Sequence, residues 1–236
     1  MRKDYGNFLL RAMAPEDLAL LEPYLDEVKL DVPLRLEQAD TAIDAVYFLE
    51  CGLASIVGRL PNGRDIEVGI AGREGMTGAS VVLGSGQSPN VTFMQISGWG
   101  FRLPSARLAD AMASSVALKA MLLLYVQSLL VQTTSTVLAN GHVQTDARLA
   151  RWLLMVHDRM SGAAVPLTHE FLAIMLGVTR PGVTVALHAL EGQKLIRAVR
   201  GQITIVNRNG LIRLAQGSYG AAEREYQRLM SVPLSR

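Results

Sequence analysis

The spacing of hydrophobic residues changes twice along the chain and divides it into three parts. In the first part, Leu18, Leu21 and Leu25 recur at helical spacing, which predicts a short helix that begins near Pro15. Short segments with strand-like patterns follow, separated by turn signals, and they predict an antiparallel sandwich or barrel of roughly a hundred residues. These segments are AVYFLECG, LASIVGRL, DIEVGIA, VTFMQIS and GWGFRLP.

The segment that starts at Asp65 shows the strand pattern most clearly. Ile66, Val68 and Ile70 alternate with polar or small residues, which predicts a strand with Glu67 on its water-facing side. The Asn-Gly pair within residues 61–64 supplies the positive φ angles that a tight turn needs. We therefore predict a β-hairpin around residues 61–64.

From about Ala117 the hydrophobic period returns to 3.6, and the segment is apolar on more than one face. Such a helix must be buried on more than one side, so we predict that it packs on its own sheet and on a second copy of the chain. The alternative is a central helix within a monomer. Its most apolar part, Met121 to Val131, is too short to span a bilayer. The predicted dimer interface consists of Leu118, Met121, Leu122, Tyr125, Leu129 and Gln132.

The third part contains a pattern typical of a helix-turn-helix. Thr168 can cap a short helix that ends at Gly177, and Thr179 can cap a second helix that runs through Leu190 to Gly192. Two short helices joined by a three- or four-residue turn with glycine make up that motif. The boundaries predicted from these patterns give a first, strand-rich domain at residues 1–112, a long helix at 113–141 and a domain with the helix-turn-helix at 142–236.

A local excess of base follows the helix pair, although the net charge of the whole chain is only +2. The segment LIRAVRGQITIVNR predicts a hairpin around Arg200-Gly201 that forms a wing beside the helices. These cations favour DNA binding next to a helix-turn-helix, although alone they are equally consistent with a solvated surface. Between Thr179 and Arg213 the single acid is Glu191 and the cations are Arg180, Lys194, Arg197, Arg200, Arg208 and Arg213.

These features together resemble the Crp-Fnr family of transcriptional regulators. The likeness extends from VYFLECGLASIVGRLPNGRDIEVGIAGREGMTG through the long helix to LTHEFLAIMLGVTRPGVTVALHALEGQKLI and the wing. The resemblance implies an α+β fold with an N-terminal antiparallel β-roll, similar to a double-stranded β-helix, a long dimerisation helix and a C-terminal winged helix-turn-helix. It also implies a homodimer that binds a two-fold symmetric DNA operator and works with RNA polymerase, with the second helix of the motif in the major groove.

The resemblance assigns the DNA contacts to the helix pair and the wing, with Arg180 as the leading base-reading residue. Pro181 is compatible with the first helical turn, and Gly182 leaves the backbone bare for close approach to DNA. Pro181 and Val185 stand where the family's best-known members have an acid and a second arginine, so we expect a different operator, richer in A·T. The predicted contacts are Thr168, His169, Thr179, Arg180, Gly182, Thr184, Val185, His188 and Arg200.

The predicted sensory domain lacks the signatures of three effectors known for the family. Ala79 and Pro89 replace the acid and the arginine of a cyclic-nucleotide site, and Cys51 alone cannot hold an iron-sulfur cluster. All four histidines follow residue 141, which disfavours haem. We expect a small neutral pocket that takes an uncharged ligand or none, lined by Gly75, Met76, Gly78, Ser80 and Asn90. Alternatively, the glycines only make tight turns, or the pocket takes a cyclic nucleotide in a non-standard way.

Other functional classes find little support in the sequence. No catalytic, phosphate-binding or metal-binding motif occurs, so we predict neither an enzyme nor a cofactor or metal site. Cys51 is the single cysteine and is expected to be a small buried hydrophobe, and the N-terminus has no signal-peptide pattern, which favours the cytoplasm and no membrane association. The main alternative to a DNA-binding regulator is a ligand- or protein-binding module of the same fold.

Overall fold

A computed structural model describes residues 4–59, 65–160, 162, 164–199 and 201–234. The predicted hairpin turn at 61–64 lies outside these residues. The N-terminal part contains helices α1 (Phe8–Ala12), α2 (Pro15–Leu21), α3 (Ala79–Val82) and α4 (Ser105–Ser114), and a 3-10 turn at Glu22–Tyr24. Its strands are β1 (Asp26–Leu30), β2 (Arg35–Glu37), β3 (Ala45–Arg59), β4 (Asp65–Ala71) and β5 (Val91–Pro104).

The strands form one antiparallel sheet in the order β1-β5-β3-β4, with β2 paired to β5, and this confirms the predicted antiparallel β-roll. Two long strands replace the four short ones predicted around Gly52 and Gly98. The register between β3 and β5 shifts between Leu49 and Leu53, and Gly52 has a φ of +89°. These glycines therefore make a bulge in continuous strands instead of turns between separate ones. Cys51, expected to be buried, is exposed at this bulge.

The prediction for the outer face of β4 is wrong at two positions, because Glu67 and Gly69 are both buried. Glu67 is 5% exposed, because a helix of the C-terminal part covers the side of the strand that was expected to meet water. This contact is not visible in the local sequence pattern, since the covering helix lies more than seventy residues further along the chain. The alternation in β4 identified the strand but not its surroundings.

Helix α5 (Val116–His142) begins at Ser115, whose hydroxyl accepts from the amide of Leu118. It packs along the β-roll and is longer than the apolar stretch recognised in the sequence. Among the described helices it alone has the length and composition of a membrane span by itself, with a mean hydropathy of 1.5 in its most apolar window. Its buried side chains contact the core of its own chain, as in the central helix of a globular protein.

The C-terminal part holds helices α6 (Thr145–Arg159), α7 (His169–Leu176), α8 (Arg180–Gly192) and α9 (Arg208–Leu214) around one core. A sheet in the order β6-β8-β7 (Ala164–Pro166, Gln202–Ile205 and Ile196–Val199) supplies the predicted wing strands. A last helix, α10 (Ala221–Met230), leaves this domain and returns to α5. Its side chains Tyr226 and Met230, with Leu234 beyond it, complete the core of the N-terminal domain.

Candidate nucleic-acid interface and sensory site

Helices α7 and α8 form a helix-turn-helix whose axes differ in direction by 97°. Thr168 and Thr179 cap them as predicted, because each hydroxyl accepts from a backbone amide of the first turn, those of Phe171 and Gly182. Gly177 ends α7 with a φ of +60°, a conformation that favours glycine. The contact between the helices is apolar and consists of Leu172, Met175, Leu176, Val183, Ala186, Leu187 and Leu190.

The other side of α8 faces away from this core. Arg180, Pro181, Val185 and His188 are exposed, and Thr184 between them is half-buried. The side chain of Val185 is notable because it is large and apolar and yet 69% exposed. Each of these residues lies three or four positions from another member of the set, so together they form a continuous surface.

A chain of polar contacts links this surface to the start of α7. Nη2 of Arg180 lies 3.0 Å from Oε2 of Glu170, and the Thr184 hydroxyl donates to the Arg180 carbonyl over 3.2 Å. The same hydroxyl lies 3.4 Å from Nδ1 of His169. Sequence reasoning missed Glu170, although an acid in the first turn of α7 was visible in the sequence.

The remaining predicted DNA contacts are distributed around the same helices. Thr168 and Thr179 are exposed caps, Gly182 is half-buried in the first turn of α8, and His169 also borders the groove between α7 and the wing strands. Arg200, at the predicted tip of the wing, lies outside the described residues. Of the counted cations, Lys194, Arg197 and Arg213 are exposed.

Arg208 has a different environment from the other cations. Its guanidinium donates to Asp158 over 2.7 Å and to the Tyr219 hydroxyl over 2.8 Å, and it lies 3.0 Å from Nδ1 of His157. Asp158 is completely buried, and this burial raises the pKa of its carboxyl. The interpretation of Arg208 as one of six cations facing phosphate is therefore corrected: it neutralises a buried acid inside the domain.

The predicted effector pocket is occupied by protein side chains at its centre. The Tyr125 hydroxyl from α5 donates to the Met76 carbonyl over 2.7 Å and accepts from the Met76 amide over 3.0 Å. A Cβ added to Gly75 would collide with the ring and hydroxyl of Tyr125. Gly75 is thus required for the close approach of Tyr125, and burial raises the pKa of this tyrosine.

The five predicted pocket residues do not surround one cavity. Gly78 lies against Val46 and donates its amide to Glu37 over 2.8 Å, whereas Asn90 lies near Gly58 in another part of the sheet. Ser80 is half-buried in α3. Burial raises the pKa of Glu37.

A small polar cavity of about 10 Å³ lies instead between the β-roll, α5 and α10. It has room for about one water molecule. At its edge, Nε of Arg159 lies 2.6 Å from Oε1 of Glu74, and both side chains are 2% exposed. The Tyr226 hydroxyl of α10 donates to the Glu74 carbonyl over 2.7 Å. The C-terminal helix therefore closes this region of the sensory domain.

The helix-turn-helix is also docked on the β-roll. The rings of Phe93 and Phe171 stack with their centroids 6.0 Å apart, and the Gln95 side chain contacts the sulfur of Met175. Deeper in the junction, the buried Glu67 accepts from the Ser55 hydroxyl over 2.5 Å and from Nε1 of Trp152 over 2.8 Å. Burial raises the pKa of Glu67 to about 7.

The predicted dimer face of α5 is used inside the chain. The Gln132 side chain, for example, bonds to both the amide and the carbonyl of Ile70, over 2.7 and 3.2 Å. Met121 is half-buried, and the other five predicted residues, Leu118, Leu122, Tyr125, Leu129 and Gln132, are buried. The buried residues of this predicted interface are thus covered by their own chain. The large apolar side chains exposed on α5 are Val116, Leu123, Leu124, Leu130, Val137 and Leu138.

Comparison with known proteins gives a family match in the C-terminal part and structural matches over most of the chain. Residues 147–214 match the Crp-like helix-turn-helix domain family. A protein from Eubacterium rectale, described as a Crp/Fnr family transcriptional regulator, has a similar structure at 18% identity, with a TM-score of 0.68 over 89% of this chain and 98% of that chain. No curated protein sequence matches the chain.

Two further solved structures share the fold. FixK2 from Bradyrhizobium japonicum is 19% identical, with a TM-score of 0.68 over 80% of this chain and 96% of that chain. A CRP family transcriptional regulator from Thermus thermophilus is 21% identical, with a TM-score of 0.62 over 83% of this chain and 99% of that chain. At these identities the likeness concerns the fold, and it includes the β-roll as well as the helix-turn-helix.

Proposed function

Because the C-terminal domain is a Crp-like helix-turn-helix on a chain with the fold of Crp/Fnr transcriptional regulators, we propose that this protein binds a two-fold symmetric DNA operator as a homodimer. The observation that carries the proposal is the exposed face of α8, where Arg180, Thr184, Val185 and His188 point away from the domain core. Such a face fits the major groove, and the wing strands beside it supply further contacts.

We expect base recognition on this face to combine a charged and an apolar side chain. Arg180 can bond to O6 and N7 of guanine, and the exposed Val185 methyl groups suit the methyl group of thymine. Lys194, Arg197 and Arg213 are exposed on the same domain and are available to phosphates. We expect an operator with a guanine in each half-site and A·T pairs around it.

The homodimer is proposed to form through the exposed seam of α5. Val116, Leu123, Leu130 and Val137 repeat at seven-residue intervals, and Leu124 and Leu138 flank them. Apolar residues at this interval occupy one of the two contact positions in each heptad of a two-stranded coiled coil, so the occupant we assign to the seam is α5 of a second copy. A parallel pair of α5 helices would give the two recognition helices the two-fold relation that a symmetric operator requires.

The sensory part of the proposal concerns the contact between the β-roll and the helix-turn-helix, not a small-molecule pocket. Tyr125, Glu37 and α10 fill the region where the sequence predicted an effector, so a cyclic nucleotide is not the ligand we assign. We further propose that the protein works in the cytoplasm together with RNA polymerase, as expected for a regulator of this fold. A ligand- or protein-binding module of the same fold remains the competing function.

Selection of bound fragments from a random duplex library tests the proposal. We expect enrichment of an inverted repeat whose half-sites lie about one helical turn apart or a multiple of it. Binding to the selected duplex should weaken steeply with rising salt, because each neutralised phosphate releases counterions. Failure to enrich any sequence, together with no affinity for random duplex at low salt, would contradict DNA binding and favour the competing module.

A further inference from the structure

The ion pair between Glu170 and Arg180 joins the two helices of the motif on its outer surface. The two side chains are 67% and 65% exposed, and their charged atoms lie 3.0 Å apart. Glu170 belongs to the first turn of α7, and Arg180 opens α8. An acidic side chain thus stands beside the residue that is proposed to read a base.

The fold explains this acid only in part, because a carboxylate in the first turn of α7 interacts favourably with the helix dipole. An ion pair exposed to this degree contributes little to stability, because water screens it and both side chains lose freedom. On a surface that approaches phosphates, a carboxylate also weakens binding through repulsion. The ion pair itself therefore contributes little to the stability of the free domain, and its place beside Arg180 is the feature that needs a further reason.

The geometry suits the orientation of the Arg180 side chain. The backbone of Arg180 is fixed by the start of α8 and by the bond from Thr184 to its carbonyl, but its guanidinium ends a long flexible chain. A guanidinium held by a carboxylate loses less freedom when it meets a base edge, and it is less free to turn towards a phosphate. Within α8 the residue after Arg180 is Pro181, which has no charge to serve this purpose.

We propose that Glu170 is the positioning residue for Arg180: it supplies from α7 the acidic partner that the recognition helix lacks, and it directs the guanidinium to a base instead of the phosphate backbone. This inference rests on the proposed function. It assigns to Glu170 a part in sequence discrimination without a base contact of its own.

The experiment compares three duplexes: the operator selected by the wild-type protein, the same operator with the Arg180-dependent base pair replaced, and a random duplex. The base pair is identified first, as the position at which Arg180→Ala lowers the preference most without abolishing it. Glu170→Gln should reduce discrimination at that position by about five- to tenfold and increase affinity for the random duplex. Glu225→Gln removes the same charge from an exposed pair with Arg228 on α10 and should change neither quantity.

The double variant Glu170→Gln/Arg180→Ala separates positioning from direct reading. We expect it to discriminate no worse than Arg180→Ala alone. The inference is overturned if Glu170→Gln leaves discrimination unchanged, or if it causes the same loss in the Arg180→Ala background, because Glu170 would then read the base itself. If the wild-type protein selects no duplex at all, the proposed function fails before this test begins.

Discussion

Trp152 of α6 donates its indole N–H to the carboxyl of Glu67 over 2.8 Å, and this bond connects the DNA-binding domain to the sheet of the β-roll. Ser55 completes the site from β3, and Arg151 and Arg159 of α6 provide the nearby positive charges. An acid that loses its proton near pH 7 thus lies at the contact between the two domains.

Stability should depend on pH through this acid. The pKa of Glu67 is about 7 in the folded chain and 4.5 when unperturbed, so the folded protein binds the proton more tightly. The free energy of unfolding therefore has its full Glu67 contribution below about pH 4.5 and loses up to ~3 kcal/mol as the pH rises to about 7. Urea titrations of the wild type and Glu67→Gln over this range measure the effect. The free energy of unfolding of the wild type should fall with pH relative to that of Glu67→Gln up to about pH 7 and run parallel to it above. Parallel curves over the whole pH range would contradict the assignment.

Replacement of Leu130 by Glu should distinguish the role of the exposed face of α5 from that of its buried face. The side chain is 55% exposed on the seam, so the charge should weaken association of two chains strongly while each chain remains folded. Leu122→Ala is the matched control on the buried face, where it should lower stability by about 2 to 5 kcal/mol and leave association of the folded chains intact. Sedimentation and thermal unfolding provide the two measurements. A Leu130→Glu protein that still sediments as a dimer would remove the seam from the proposal.

Arg208 and Arg213 belong to one helix, α9, and should respond differently to alanine. Arg213 is exposed, so its loss should weaken DNA binding uniformly across sequences and reduce the salt slope by about 1 if it contacts a phosphate. Arg208→Ala leaves the buried Asp158 without its cation and should cost about 3 to 5 kcal/mol of stability. Chemical unfolding and salt titration of DNA binding distinguish them, and an Arg208→Ala protein of unchanged stability would refute the structural role.

Tyr226 tests the attachment of α10 to the sensory domain. Tyr226→Ala removes a buried aromatic side chain and should lower the free energy of unfolding by about 3 to 5 kcal/mol. Tyr226→Phe retains the ring and loses only the hydrogen bond to the Glu74 carbonyl, which should cost about 1 to 3 kcal/mol. Equal stability of the wild-type and alanine proteins would mean that α10 is not part of this core.

The parts of the molecule that were predictable are those encoded by local pattern. The caps Thr168 and Thr179, the breaker Gly177 and the alternation in the strands depend on neighbours in sequence. They predicted the helix-turn-helix and an antiparallel sandwich or barrel, which the family resemblance specified as a β-roll. The burial of Glu67 and the filling of the pocket by Tyr125 were not predicted, because both depend on contacts between distant segments.

The face of α5 illustrates the same limit more clearly. Its sequence is apolar on several sides, so the pattern predicted two contacts but could not decide which face meets which partner. Gln132 shows this best, because its side-chain amide forms hydrogen bonds with the backbone of Ile70. Helical periodicity does not predict such a contact. The packing of α10 against α5 was likewise unpredicted, since nothing in the sequence of α10 indicates the helix that it contacts.

The return of α10 also constrains the order in which the protein can fold during synthesis. Tyr226, Met230 and Leu234 are part of the same core as Leu9 and Phe48. The ribosome adds residues from the N-terminus onwards, so the β-roll is made well before α10 and its core is complete only after α10 has been made. Until then the apolar surface that α10 covers is open to chaperones and to other nascent chains.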